Sequence, residues 1–113
     1  MRAVVLTSPG SPMTVASVPD PSPPAGGCVV DVLACGICHS DLHVRDAEWP
    51  RPGPFVMGHE GAGVVEAVGP GVTSPAVGDR VVLTWYYPCL SCRRCQEGRQ
   101  WLCTGSGSLR HAM

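Results

Sequence analysis

The alternation of apolar and polar positions predicts a chain built mainly of short strands. β-Branched runs are separated by turns rich in glycine and proline, and few segments have the 3.6-residue period of a helix. The first two runs flank a Pro9-Gly10 turn and are predicted to pair as a hairpin, and the third is predicted to be buried. The predicted strands are residues 2–7, 13–18, 29–34, 61–68 and 77–83.

One short helix is predicted over residues 39–45, with Ser40 or Asp41 near its N-terminus. The prolines of residues 50–54 would break any longer helix. The 14 glycines and 12 prolines leave room for many turns, and no internal repeat is visible. The predicted fold class is therefore mostly β, a partly open barrel-like domain. It is followed from Cys89 by a polar, cysteine-rich lobe.

Composition and charge narrow the class of protein. A chain of 113 residues with 44% hydrophobic and 15% charged residues is typical of one globular domain. The net charge of −1 argues against a nucleic-acid partner, because such proteins carry a basic surface. No apolar run approaches the ~18 residues of a membrane helix, and the N-terminus lacks the pattern of a signal peptide. We therefore predict a cytoplasmic protein without a membrane partner.

Four of the seven cysteines are closely spaced within the lobe predicted over residues 85–104. Four thiolates at this spacing can surround one tetrahedral zinc ion, and a closed four-thiolate site is structural because no position stays open for chemistry. Two disulfides or an iron–sulfur cluster are the alternatives. The predicted intracellular location favours zinc. The four cysteines are Cys89, Cys92, Cys95 and Cys103.

A second group combines the segment 38–43, Cys-His-Ser-Asp-Leu-His, with the segment 58–60, Gly-His-Glu. Cys38 and His59 offer a soft thiolate and an imidazole, both of which suit zinc. Asp41 and Glu60 are carboxylates beside them that could orient the ligands. The spacing alone leaves open that this cysteine and histidine are only packed or solvated.

These motifs together resemble the zinc-dependent medium-chain alcohol dehydrogenases. The segment 58–63, Gly-His-Glu-Gly-Ala-Gly, is followed by Gly69 and Val72 at the spacing of that family's signature. The segment 38–43 is similar to the family's first catalytic-zinc segment, and the four cysteines match its structural-zinc lobe in order and position. The resemblance runs from Met1 to Cys103 and implies the family's N-terminal GroES-like β-domain.

The resemblance implies an enzyme that oxidises an alcohol to an aldehyde or ketone, with hydride transfer to NAD or NADP and zinc at two sites. It also implies a small alcohol or aldehyde as substrate, and a homodimer or homotetramer for complete members. Which alcohol, and which nucleotide, stay open. The implied roles are catalytic-zinc ligation by Cys38 and His59, a near-zinc carboxylate at Glu60, a hydrogen bond from His59 to Asp41, proton transfer through Ser40 and His43, cofactor contact by His39 and a substrate-pocket aromatic at Trp49.

Plainer interpretations of three of these residues stay open. Ser40 could simply cap the helix, His43 could be a surface histidine, and Trp49 could be a core residue. Outside the two groups, Cys28 and Cys35 are expected to be small buried residues. A redox pair formed by Cys35 and Cys38 is not favoured, because no thioredoxin-like pattern surrounds it.

Two elements of a complete family member have no counterpart in the sequence. The third catalytic-zinc ligand of the family lies further downstream, and His111 is a weak substitute. No G-x-G-x-x-G segment follows a strand, so the nucleotide-binding domain is not represented, and residues 104–113 match no pattern. We therefore expect these 113 residues alone to be inactive. The alternative function is a catalytically inactive zinc-binding module, or the remnant of a gene.

Overall fold

In a computed structural model the chain forms two compact units, Met1–Leu83 and a second that begins at Thr84. The structure describes residues 1–49, 52–84, 86 and 88–105. The elements of the first unit are the strands β1 (Arg2–Leu6), β2 (Thr14–Ser17), β3 (Cys28–Gly36), β4 (Phe55–Val56), β5 (Glu60–Val68) and β6 (Arg80–Val82), with helix α1 (His39–Arg45) between β3 and β4. Those of the second unit are helix α2 (Arg93–Gln96) and a 3₁₀ turn (Gln100–Leu102).

The first sheet has the strand order β2-β1-β4. Strands β1 and β2 pair antiparallel from Arg2 opposite Ser17 to Val5 opposite Thr14, which confirms the predicted hairpin. Strand β4 adds to the other edge of β1, where Leu6 lies opposite Phe55. Leu6 is fully buried, so the end of β1 anchors the small core of this unit.

The second sheet has the order β3-β5-β6, and both pairings are antiparallel. Strand β5 is central, and its buried positions alternate at Gly61, Gly63 and Val65 as expected for a strand with one covered face. Val65 is 1% exposed. A Cβ at Gly63 would overlap the backbone of Asp31 on the neighbouring strand, so only glycine fits there.

The predicted burial of residues 29–34 is wrong for the second half of the segment. Val32 is 49% exposed and Leu33 is 70% exposed. Among the described elements β3 packs closely only with β5, so little covers the faces of this part of the strand. An apolar run shows that a strand is suited to burial, but it does not show that another element covers both of its faces. The exposure of Cys35 likewise contradicts its predicted burial, whereas Cys28 is partly buried.

The last predicted strand is shorter than residues 77–83, because β6 begins at Arg80. Gly78 has a φ of +94°, a left-handed conformation that does not fit a strand, so the regular strand begins only after this residue. The Asp79 carboxylate accepts a hydrogen bond of 2.8 Å from the backbone N–H of Ala76, which closes a turn there. Overall, the mostly-β prediction is confirmed. Among the described residues, no helix is long and apolar enough to cross a membrane.

Candidate metal centres

The end of β3 and the start of α1 place Cys38. Helix α1 begins at His39 with Cys38 as its N-cap, so Ser40 and Asp41 lie inside the first turn, where Asp41 forms a capping box with Cys38. The backbone N–H of Cys38 donates to Oδ2 of Asp41 at 3.1 Å. Asp41 is buried, with 9% of its surface exposed, so water competes little for this hydrogen bond. The bond therefore stabilises the turn that carries the Cys38 thiol.

The loop before β5 places His59 opposite that turn. Gly58 has a φ of +101°, which a residue with a side chain adopts only under strain, and it directs the chain into β5 immediately after His59. The other carboxylate oxygen of Asp41, Oδ1, lies 3.2 Å from His59 Nδ1. Ser40 Oγ lies 3.4 Å from His59 Nε2. The imidazole is therefore held between a carboxylate and a hydroxyl group of α1.

Three potential metal donors meet at this point. One donor atom each from Cys38, His59 and Glu60 lie within 4.8 Å of one another. A thiolate, an imidazole and a carboxylate are all zinc ligands, and three protein donors leave a fourth tetrahedral position free, as in catalytic zinc sites. The donor set thus fits zinc and leaves room for a small ligand.

The same neighbours favour the charged forms of the donors. The pKa of Cys38 is lowered, mainly by hydrogen bonds from the Ser40 side chain and backbone and then by His59, against burial and the charge of Glu60. Burial alone would lower the pKa of His59, but its bond to Cys38 and the charge of Asp41 outweigh this and raise the pKa. The site therefore favours the thiolate of Cys38, which can bind a metal, whereas His59 must lose a ring proton before it can do so.

A second cluster on α1 contains the other predicted site residues. His43 Nδ1 forms a hydrogen bond with Glu48 Oε2. The Trp49 ring stacks on His43 with centroids 5.1 Å apart, and the centroid of the His39 ring lies 4.7 Å from that of His43 in a tilted arrangement. Trp49 is 46% exposed, so it is not a core residue of the described unit. The Glu48 carboxylate therefore fixes the Nδ1 edge of the His43 ring.

The second unit brings together the four cysteines of the lobe. The sulfur atoms of Cys89, Cys92, Cys95 and Cys103 lie within 4.8 Å of one another, and all four side chains are thiols. Backbone N–H groups point at two of the sulfurs, from Cys92 to Cys89 Sγ at 3.3 Å and from Cys89 to Cys103 Sγ at 3.2 Å. Leu90, between them, has a φ of +57°, which makes the tight turn that aims these groups.

The surroundings of the four thiols differ. Bonds from the backbone of Cys95 and Thr104 lower the pKa of Cys92 to about 5, and bonds from Ser91 and Cys92 lower the pKa of Cys89 to about 7. Burial and the neighbouring cysteines raise the pKa of Cys95 to about 12. These pKa values favour the thiolate form at Cys92 and the protonated thiol at Cys95. A divalent cation would stabilise the thiolate form of all four.

Few apolar contacts hold the described residues of the lobe together. Among its described residues Cys95 is the one buried hydrophobic residue, while Leu90, Trp101 and Leu102 are at least 47% exposed. The Glu97 carboxylate pairs with Arg93 at 2.7 Å and Arg99 at 2.6 Å, but such surface pairs contribute little. With so little buried apolar surface among its described residues, the lobe needs another source of stability, and the four-thiolate group is suited to provide it.

Comparison with known proteins decides the family. Residues 24–113 match the model of the alcohol dehydrogenase GroES-like domain. The chain belongs to this family. It is 44% identical over 106 residues to an alcohol dehydrogenase of Geobacillus stearothermophilus, covering 91% of this chain and 32% of the relative. An L-threonine 3-dehydrogenase of Saccharopolyspora erythraea is also 44% identical, over 113 residues, covering 96% of this chain and 33% of the relative.

The solved structures agree with the family assignment. The crystal structure of an NAD-dependent alcohol dehydrogenase superposes with a TM-score of 0.77 at 41% identity, covering 96% of this chain and 33% of that protein. The similarity confirms the GroES-like fold expected from the motifs. The chain spans about a third of the length of the alcohol dehydrogenase relatives that it matches.

Sequence reasoning missed several residues that shape these sites. Glu48 pairs with His43 from beyond the end of α1, so helical spacing gave no signal for it. The Tyr86 hydroxyl donates to the carbonyl of Gln100 at 2.7 Å and accepts from the backbone N–H of Cys103 at 3.2 Å, which braces the lobe. Of the residues considered from sequence, Pro50, His111 and the rest of residues 106–113 lie outside the described part of the chain.

Replacing Asp41 by asparagine tests the hydrogen bonds that hold His59. The carboxylate accepts from the Cys38 backbone N–H with one oxygen and lies against His59 Nδ1 with the other. An amide has only one oxygen, so its NH₂ group must face one of these two donors. We expect Asp41→Asn to weaken metal binding at the Cys38 and His59 group about 10–100-fold.

Isothermal titration of Co²⁺ into protein whose lobe is filled with zinc measures this loss. Asp31→Asn is the matched control, because Asp31 is exposed on β3 and should leave the affinity unchanged. Equal affinities for Asp41→Asn and the unmodified protein would contradict a role for Asp41 in holding His59.

Proposed function

We propose that this chain is the N-terminal part of a zinc-dependent alcohol dehydrogenase, in which Cys38 and His59 hold the catalytic zinc and Glu60 is the carboxylate nearest to it. The observation that carries the proposal is the convergence of these three donors within 4.8 Å in a member of the alcohol dehydrogenase GroES-like family. Zinc bound there supplies a Lewis acid that lowers the pKa of an alcohol hydroxyl.

The residues around this group have distinct tasks in the proposal. Asp41 orients His59 from one side, and Ser40, 3.4 Å from the other ring nitrogen, is placed to accept the proton of an alcohol entering the open position. A proton leaving Ser40 needs a path to solvent, and His43 lies further along the same helix with its Nδ1 held by Glu48. His39 and Trp49 both contact the His43 ring and are the candidates for cofactor and substrate contacts, respectively.

The four-cysteine lobe has a structural role in the proposal. Its four thiolates fill every position of a tetrahedral ion, so zinc held there stabilises the fold and takes no part in the reaction. We further propose a cytoplasmic protein, because all four ligands must stay reduced to bind metal.

The relatives support a chemical class of cofactor and of substrate, but no individual compound. The NAD-dependent structural relative supports a nicotinamide nucleotide as hydride acceptor. Two relatives of equal identity are named for different substrates, an unspecified alcohol and L-threonine. We therefore propose a small alcohol as substrate and a homo-oligomer as the assembled form. From the 113 residues alone we expect no turnover, since relatives with the activity are about three times as long.

A chimeric enzyme tests the proposed function. In it this chain replaces the matching third of the Geobacillus relative, which supplies the remainder of the protein. We expect two zinc ions per subunit and NAD-dependent oxidation of the alcohol that the parent enzyme uses. A chimera that is folded and carries both zinc ions but has no turnover would overturn the proposal and favour an inactive zinc-binding module.

A further inference from the structure

Glu60 reaches the other metal donors by folding across a position that has no side chain. In the ladder between β3 and β5, Gly36 lies directly opposite Glu60. A Cβ built on Gly36 would lie 3.2 Å from Glu60 Cβ and 3.4 Å from its carboxyl carbon, and it would overlap Oε2 outright. The Glu60 side chain therefore occupies the space that a residue larger than glycine would fill.

The backbone does not require glycine at this position. Gly36 does not have a positive φ. It differs in this from Gly58 and Gly78, whose left-handed conformation disfavours a side chain. An alanine could adopt the extended backbone of β3 without strain. What opposes it is space: the atom that it would overlap is Oε2, at the end of a flexible side chain that can swing away, whereas Glu60 Cβ at 3.2 Å would have to give by a few tenths of an ångström.

We propose that Gly36 is a positioning residue for Glu60: the missing side chain lets the carboxylate lie across the sheet beside Cys38 and His59. This inference rests on the proposed role of those residues as metal donors. Gly36 is two residues before Cys38, so the strand end that delivers the thiol also makes room for the carboxylate. With alanine at position 36 the protein keeps its fold, but Glu60 turns away from the other two donors.

Co²⁺ titration of protein whose lobe is filled with zinc tests the proposal, and the cobalt–thiolate absorption that Cys38→Ser abolishes identifies the site. We expect Gly36→Ala to weaken Co²⁺ binding about 10–100-fold. Glu60→Ala should have a similar effect, and the double variant should bind no more weakly than Glu60→Ala. Gly61→Ala is the matched control. It adds a methyl on the next rung of the ladder, where its neighbour is the mobile end of Leu83.

A crystal structure of metal-free Gly36→Ala locates Glu60 directly. A carboxylate displaced from Cys38 and His59 supports the proposal. A carboxylate in its original place, or losses of affinity that add in the double variant, overturns it. Absence of the cobalt–thiolate band in the unmodified protein would count against the proposed catalytic site instead, and the crystal structure would still decide whether Gly36 positions Glu60.

Discussion

Replacing Cys95 by serine is expected to release the zinc of the lobe and to unfold the second unit. Cys95 is the one buried hydrophobic side chain among the lobe's described residues, and its sulfur lies 3.5 Å from that of Cys92. A serine hydroxyl is a poor zinc ligand and cannot complete the four-thiolate set. Because the described part of the lobe buries almost no apolar surface, we expect the free energy of metal binding to supply its folding free energy, about 10–16 kcal/mol in zinc-finger peptides.

Zinc content per chain and resistance to proteolysis measure this effect together. We expect one zinc fewer than in the unmodified protein, and cleavage by trypsin at Arg93 and Arg94, which a folded lobe resists. Cys28→Ser is the matched control, since Cys28 belongs to neither metal group and the variant should keep its zinc and its resistance. A Cys95→Ser protein with full zinc content and an intact lobe would show that another interaction holds these residues together.

Replacing Cys38 by serine in the chimeric enzyme is expected to abolish alcohol oxidation while leaving the zinc of the lobe in place. The two donor groups share no residue, so losing one ligand should affect only its own group. Lewis-acid stabilisation by a bound metal contributes several kcal/mol to the transition state, and each 1.36 kcal/mol is tenfold in rate. The expected loss in kcat/KM is therefore about a thousandfold or more.

Kinetic assay and metal analysis of the same preparation separate the two sites. We expect Cys38→Ser to retain one zinc per subunit and the thermal stability of the lobe. Cys35→Ser is the control, because Cys35 is an exposed cysteine on β3, outside both donor groups. Full turnover in the Cys38→Ser chimera would exclude Cys38 as a ligand to a metal that the reaction needs.

The two candidate metal sites could be predicted because their residues lie close together in the sequence. The four lobe cysteines lie within fifteen residues, so their convergence depends on short turns and hardly on the rest of the fold. The signature around His59 and the segment from Cys38 to His43 were recognisable for the same reason, as runs of neighbouring residues. Their family assignment was then confirmed by the match over residues 24–113.

Only the tertiary structure decided how these segments face one another. The place of Glu60 depends on the register that sets Gly36 opposite it, and a shift of one residue would turn its side chain to the other face of the sheet. The pairing of His43 with Glu48 depends on how the chain turns back after α1. No periodicity in the sequence specifies either contact.

The sequence by itself determined the mostly-β class, the family and the candidate ligands, because strand patterns and ligand spacings are properties of short segments. It could not determine burial. Residues 29–34 have the apolar composition of a covered strand, yet Leu33 is exposed because little of the described chain covers that part of β3. Register and coverage are set by contacts between distant segments, so the arrangement of the donors around Cys38 was decided by the tertiary structure alone.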